Sequence, residues 1–382
     1  MRLFQKSLIL TGLIFLSLSQ TACDKFLSVD PPYTQDVENF FQTPEDFDRA
    51  LTGAYDMLQA SFLTMWIGEI ASDNAIAGGE SVNDSPGLHQ IDNMTHGGVN
   101  VELRNVFRWN YTGLTRANYI LENQNNIDFP GKAHIIAEAK FLRAYYYFEL
   151  VKYFGDVPLI IDKRIGIEEA LQIARSPKAE VYAQIEKDLK DASEVLNPVA
   201  SQKGRATKGA ALGYLGKAYL FTKDFDKAKT AFKQVIDLGV YSLVSNYRDN
   251  FTDTNENNSE SVFEVQFSRN AGGVDLGWGG APASGWGKTS ARAITYAPRA
   301  FGWTDVNPSR TLFNEFQEEL TTSGGVDPRL DATMFYNKPG GMQLYGKNFA
   351  TFYASSPADL NDLFCRKYQN SDGQFADEYD WR

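Results

Sequence analysis

The chain has 382 residues, 43% of them hydrophobic and 22% charged, a globular composition that excludes a disordered, collagen-like or coiled-coil protein. Its 37 basic residues stand against 48 acidic ones, a net charge of −11 that repels phosphate backbones and excludes nucleic acid as a partner. Two cysteines form neither a disulfide framework nor a four-cysteine zinc site, and His89, His96 and His134 share no metal-ligand spacing, so no cofactor is expected.

Arg2 and Lys6 precede an apolar run from Leu8 to Leu18, and the small residues Thr21-Ala22 follow. This pattern predicts a secretory signal peptide over residues 1–22. Cys23 stands directly after the cleavage site, as in a bacterial lipobox whose new N-terminal cysteine is acylated. Gln20 occupies the position where a lipobox usually has Leu. No later run reaches the ~18 apolar residues of a membrane-spanning helix. The expectation is a protein anchored to a membrane through Cys23 without crossing it, with residues 23–42, including Asp30-Pro31-Pro32, as a stiff tether.

One domain is expected over residues 43–382, helical from 43 to 245. Thr43-Pro44-Glu45-Asp46 is a helix start with a capping box, and Phe47, Leu51, Ala54, Tyr55 and Leu58 follow as one apolar stripe. Val106, Leu114, Ala117, Ile120 and Leu121 predict a second helix. The run from Ala137 to Phe154 predicts a third, with rings on every face, which requires burial all round. Gly155 and Pro158 end it. Ser176-Pro177 opens a fourth, carrying Val181, Ile185, Leu189, Ala192 and Leu196.

Residues 205–240 match the tetratricopeptide template. Leu215-Gly216, Tyr219, Ala228 and Phe232 stand at its spacing, with Leu212 in place of Trp and Val240 in place of Pro. The small residues let two antiparallel helices approach, and the rings fill the groove between them. A blurred copy pairs Leu142 and Tyr146 with residues 178–196, split by an insertion at 155–176.

The second part, 246–382, changes character. Phe263, Val265 and Phe267 alternate with Glu264 and Gln266, which predicts a half-buried strand. Residues 270–303 form a long loop rich in Gly and Trp, and such loops are usually functional or disordered. Gly287-Lys288-Thr289 lacks the rest of a P-loop, with Pro282 where the motif needs glycine. Asp253, Asn255, Asn257 and Glu264 mimic a calcium loop, but Asn258 replaces its turn glycine, which predicts a polar turn. No Gly-x-Ser-x-Gly elbow or carboxylate pair marks a catalyst, and Cys365 reads as a buried thiol. No enzyme is expected.

Five segments in this order resemble the SusD/RagB family of outer-membrane nutrient-binding lipoproteins: Cys23 to Leu27 with Asp30-Pro31-Pro32, Ala137 to Tyr145, Tyr153 to Leu159, Ala206 to Ala211, and Asn258 to Glu264. The resemblance implies a mainly α, tetratricopeptide-like helical repeat scaffold with an irregular, loop-rich second half containing short strands. It implies a non-catalytic surface protein that captures an oligosaccharide and sits as a lid on a SusC-like TonB-dependent β-barrel transporter. A peptide ligand, as in the RagB branch, and a surface glycoside hydrolase are the alternatives. Flat rings bury the apolar faces of sugars, so Trp278, Trp286, Tyr296 and Trp303 are the candidate stacking residues. Trp66 and Asp73-Asn74, in the 64–100 loop, are candidate contributors of stacking and hydrogen bonds.

The chain stops at Asp380-Trp381-Arg382, which resembles the approach to a further helical segment of the family. Phe364 to Tyr368 matches the stretch that precedes it. A missing helix predicts several hundred Å² of exposed apolar surface around Tyr145 to Phe154.

Overall fold

The computed structural model describes residues 40–161, 164–267 and 292–369. The chain divides after Gln42 into two compact units, and the second, from Thr43, holds every element below. Helix α1 (Pro44–Asp56) starts as its sequence dictates: the amide of Asp46 donates to Thr43 Oγ1, and the amide of Thr43 donates back to Asp46 Oδ2 at 2.8 Å. Then follow α2 (Ser61–Ile70), strand β1 (Ala75–Ala77), α3 (Pro86–Asp92) and α4 (Val101–Glu122). The Asn100 side chain accepts from the first free amides of α4, those of Glu102 and Leu103.

Helix α5 (Lys132–Phe154) is buried on all sides from Ala137 to Val151, apart from the half-buried Lys140. Helices α6 (Lys178–Val195), α7 (Lys208–Phe221) and α8 (Phe225–Asp237) complete the helical part, and each of α4 to α8 packs on the helix before it. The expected bare aromatic surface on α5 is absent: Tyr145, Tyr146, Tyr147 and Phe148 are all at most 7% exposed. Tyr214 and Phe221 on α7 cover Tyr145 and Phe148 edge-on, at ring distances of 5.0 to 6.1 Å. The repeats themselves supply the partner that the sequence pattern assigned elsewhere.

Two close approaches fix this stack. A Cβ on Gly216 of α7 would stand 2.6 Å from the Phe232 ring of α8, so the tetratricopeptide glycine is a steric requirement. A Cβ on Gly113 of α4 would stand 2.3 Å from the Tyr146 ring, whose hydroxyl reaches across to donate to Ala54 O at 2.6 Å. The blurred first repeat is the pairing of α5 with α6. Arg143 joins them by two 2.8 Å contacts to a fully buried Asp188, and its third nitrogen donates to Asn118 Oδ1 and Ile161 O. The insertion between these helices leaves and returns at one point, where the Ser176 amide donates to Val157 O at 2.9 Å.

After a one-turn 3-10 helix (Tyr247–Phe251), the second part contains α9 (Arg292–Tyr296), β2 (Val306–Pro308), α10 (Arg310–Glu318), α11 (Arg329–Thr333), β3 (Met334–Phe335), β4 (Gln343–Leu344), β5 (Lys347–Asn348), α12 (Phe349–Phe352), α13 (Pro357–Asn361) and β6 (Phe364–Cys365). Among the described residues the strands form three separate two-stranded antiparallel ribbons, β1–β2 (which draws β1 from the first part), β3–β6 and β4–β5. Phe335, Leu344, Phe349, Tyr353 and Phe364 make the small core beneath them.

The strand expected at 263–267 does not form. Residues 261–267 are all half-buried, without the alternation a sheet face produces, and they pair with no strand among the described residues. Side chains from the preceding turn hold the segment instead. Both carboxylate oxygens of Glu264 accept the Asn257 amide at 3.0 Å, and the Asn257 and Gln266 side-chain amides bond each other. That is the polar turn read from the calcium-loop mimic, and Asn257 takes a φ of +54° within it.

Candidate ligand-binding surface

The β1–β2 ribbon joins two stretches some 230 positions apart in the sequence. Its register, Ala75 to Pro308 and Ala77 to Val306, extends beyond the strands: Gly78 and Gly79 donate to Asp305 O and Thr304 O, each at 2.8 Å. A Cβ on Gly78 would lie 2.0 Å from Thr304 O, so only glycine admits this approach. At the far end Ser309 both caps α10 and donates from its hydroxyl to Asp73 O, while its amide donates to Asn74 O at 2.9 Å.

Four of the sequence-predicted site residues belong to this region, with different fates. Asp73 and Asn74 lie at one end of the ribbon with exposed side chains. Trp303, half-buried, precedes the Thr304 turn at the other end, its amide bonded to Ile294 O at 2.9 Å. Ser309 follows Trp303 by six positions, a span of at most ~20 Å in extended chain. One ribbon therefore carries both groups, at its opposite ends. Trp66 is only 2% exposed, and it cannot present a ring to a ligand. It lies on α2, which packs against α3, α4 and both ribbon strands.

Tyr296, also 2% exposed, likewise presents no face. Its ring meets Tyr368 at 4.8 Å, and burial drives its phenol well above the ordinary range. The Tyr368 hydroxyl donates to Glu69 Oε1 at 2.7 Å, which ties this ring pair to α2. Tyr296 and Trp66 are candidates in the sequence because aromatic composition says nothing about which neighbours cover a ring. Trp278 and Trp286 lie outside the described residues, as does Cys23.

Sequence reasoning missed a cavity of about 420 Å³ beside this wall. Ser61 and Met65 of α2, the 250–256 turn, residues 264–267 and Arg292 line it. It offers the carboxylates of Asp253 and Glu256, the amides of Asn250 and Gln266, and the rings of Phe251 and Phe267. Burial lowers the pKa of the Arg292 guanidinium. Concave sites of this size with a few convergent polar groups on apolar walls are the usual form of a small-ligand site. Phe267 and Arg292 are the last described residues on either side of the stretch containing Trp278 and Trp286. The only local signal for the cavity was the cluster of Asn, Asp and Glu at 249–258.

A second missed feature is electrostatic. Asp305, 4% exposed, has its carboxyl pushed up to about 7, first by burial and then by the charges of Asp84 and Glu102. Burial also raises Glu102, against the opposing pull of Arg104. Cys365 is buried at the end of the β3–β6 ribbon, and burial pushes its thiol up to about 12. Among the described residues no helix is long and apolar enough to cross a membrane.

Residues 25–220 match the model of a family described as SusD-like, starch-binding and associating with the outer membrane. A SusD-like protein, P25, of Formosa agariphila is 26% identical over 306 residues, which are 75% of this chain and 57% of that protein. The chain thus spans little more than half the length of that relative. Among solved structures, a SusD superfamily protein from Bacteroides vulgatus superposes with a TM-score of 0.74 at 25% identity, covering 88% of this chain and 70% of the other. A laminarin-binding SusD-like protein gives a TM-score of 0.72 at 25% identity, covering 90% of this chain and 77% of the other.

Proposed function

Because the chain belongs to the SusD-like family, we propose that it captures an oligosaccharide at the cell surface and passes it to a SusC-like TonB-dependent transporter without cleaving it. The mainly α repeat scaffold serves as the frame, and the loop-rich part bears the ligand. The observation that carries the reading is the pairing of β1 with β2. It sets the exposed Asp73-Asn74 pair and the half-buried Trp303 at the two ends of one ribbon, on a single ligand-facing edge in this reading. Trp278 and Trp286 supply further stacking faces in this reading, and the cavity at Arg292 takes hydroxyl groups between its carboxylates and amides. Acylated Cys23 holds the protein on the outer membrane, facing outwards.

Calorimetric titration with laminarin, the ligand named for a structural neighbour, is the direct test. A stacked ring contributes ~1–2 kcal/mol by analogy with aromatic pairs, so Trp303→Ala, Trp278→Ala and Trp286→Ala should each weaken binding about tenfold. Unchanged affinity in all three, with the fold intact, moves the ligand elsewhere. Release of reducing ends at catalytic rates on incubation with the polysaccharide would end the non-enzymatic reading. Cys23→Ala should move the protein out of the membrane fraction without changing its far-UV circular dichroism.

A further inference from the structure

Asp305 is an unusual place for a carboxyl. Its backbone is committed on both sides: its amide donates to Thr295 O at 2.9 Å, and its carbonyl accepts from Gly78. Its side chain is inside the protein, yet among the described residues no hydrogen bond or ion pair reaches its carboxyl. The nearest charges are of the same sign. Asp84 comes from the loop after β1, where its Oδ2 accepts the Glu80 amide at 3.1 Å and faces Gly79. Glu102 comes from the first turn of α4.

Among the described residues, the other charged and titratable groups on the packed elements do not bond the Asp305 carboxyl. Asp92, at the end of α3, accepts the Ala77 amide at 3.1 Å. Arg104 on α4 lies beside Glu102. Arg299 reaches Gly79 O at 3.4 Å, but its guanidinium is paired with Asp359 at 2.8 Å. His89 is the imidazole of α3. Three carboxyls from three elements therefore converge at the joint between the ribbon and the 78–102 segment, with no cation bonded to the central one.

We propose that this triad is an acid-set clasp: Asp305 is protonated when the 78–102 segment is closed on the β1–β2 ribbon, and loss of that proton loosens the segment. The direction follows from proton linkage. The closed form holds its proton up to about pH 7, whereas an opened, hydrated carboxyl loses it near pH 4. Between those limits each pH unit favours opening about tenfold, and above pH 7 the effect is constant. Glu102, raised by burial, adds in the same direction. Through the Asp305–Thr295 bond the clasp also touches α9, whose Arg292 lines the cavity. A looser ribbon then presents Trp303 and Asp73-Asn74 less firmly, so glycan binding weakens as the medium turns from acid to neutral. This last step rests on the glycan reading, whereas the opening itself does not.

The test is hydrogen exchange on the ligand-free protein, read as protection factors, which remove the intrinsic pH dependence of exchange. The amides of Gly78 and Gly79 report the clasp, and an amide in the middle of α5 is the reference. Between about pH 5.5 and about pH 8 their protection should fall at least tenfold relative to the reference. In Asp305→Asn, which leaves only the contribution of Glu102, the fall should shrink severalfold, and in the control His89→Gln it should fall as in the parent. A level parent, or an undiminished fall in Asp305→Asn, overturns the clasp. Should Asp305→Asn fail to fold, Asp84→Asn removes one like charge and should end the fall at lower pH; an unshifted profile overturns the clasp. Laminarin titrated at the same two pH values separates the claims. Binding that weakens with pH in the parent but not in Asp305→Asn supports the coupling, and pH-independent binding overturns it. Absence of binding at both values counts against the glycan reading and leaves the exchange result standing.

Discussion

The helical part and the loop-rich part of this chain are held together in different ways. Between α5 and α6 the joint centres on a buried charge pair in which all three guanidinium nitrogens donate, and between α7 and α8 it is a ring laid on a glycine. In the second part the joints are two- and three-residue ribbons, capped turns and backbone carbonyls accepting from side chains. Concentrated joints fail all at once when one member is removed, whereas distributed ones open locally. The scaffold should thus behave as one cooperative unit while the ligand-facing ribbons fluctuate within it.

The strongest way to break this contrast is Arg143→Ala. It strands Asp188, which is fully buried, and removing one partner of such a pair costs ~3–5 kcal/mol. Denaturant unfolding followed by circular dichroism should show the whole transition moving to lower denaturant. A loss below ~1 kcal/mol would mean that the scaffold joints are as diffuse as those of the loops. Next comes Gly216→Ala. In an ordinary helix this change gains up to ~1 kcal/mol, but here the new methyl meets the Phe232 ring, and overpacking of ~1–3 kcal/mol decides the sign. A stabilised variant in thermal melts would show that α7 and α8 can separate at no cost.

Smaller and local is Ser309→Ala, which removes both the α10 cap and the bond to Asp73 O. About 1 kcal/mol should be lost, with faster exchange confined to the ribbon amides and no change at α5. Global loosening by this variant would erase the distinction between the two parts. The smallest expectation concerns Cys365. With its thiol pushed up to about 12 and buried, it should resist alkylation at neutral pH in the native protein and react after denaturation. Rapid labelling of the native form would show that the β3–β6 ribbon opens far more readily than its small aromatic core implies.

The same contrast explains what the sequence disclosed. The helical part was legible because its signals are local: a capping box four residues long, a 3.6-residue stripe, a glycine four positions from a helical neighbour. The polar turn at 253–258 was legible for the same reason. The β1–β2 ribbon was not, because three-residue strands carry no periodicity and their partners are remote in sequence. The alternation at 263–267 misled because Glu264 and Gln266 are polar for the sake of Asn257 and not for solvent on one face of a sheet. Trp66 and Tyr296 misled because ring chemistry is the same at a stacking site and in a core. Asp305 gave no sign at all, since its charge environment is assembled from Asp84 and Glu102, each far away along the chain.

The hydrogen bond from Ser176 to Val157 O closes the neck of the insertion between α5 and α6. Whatever lies between those two residues begins and ends at the same place, so its length is decoupled from the register of the helices on either side. Residues 166–172 are solvent-exposed. In a closed excursion of this kind, doubling the length adds only ~0.6 kcal/mol of closure entropy. The stretch is therefore a natural port for foreign sequence: an epitope or an affinity tag spliced there would be displayed on the helical side of the molecule, with the repeats and the loop-rich face unchanged.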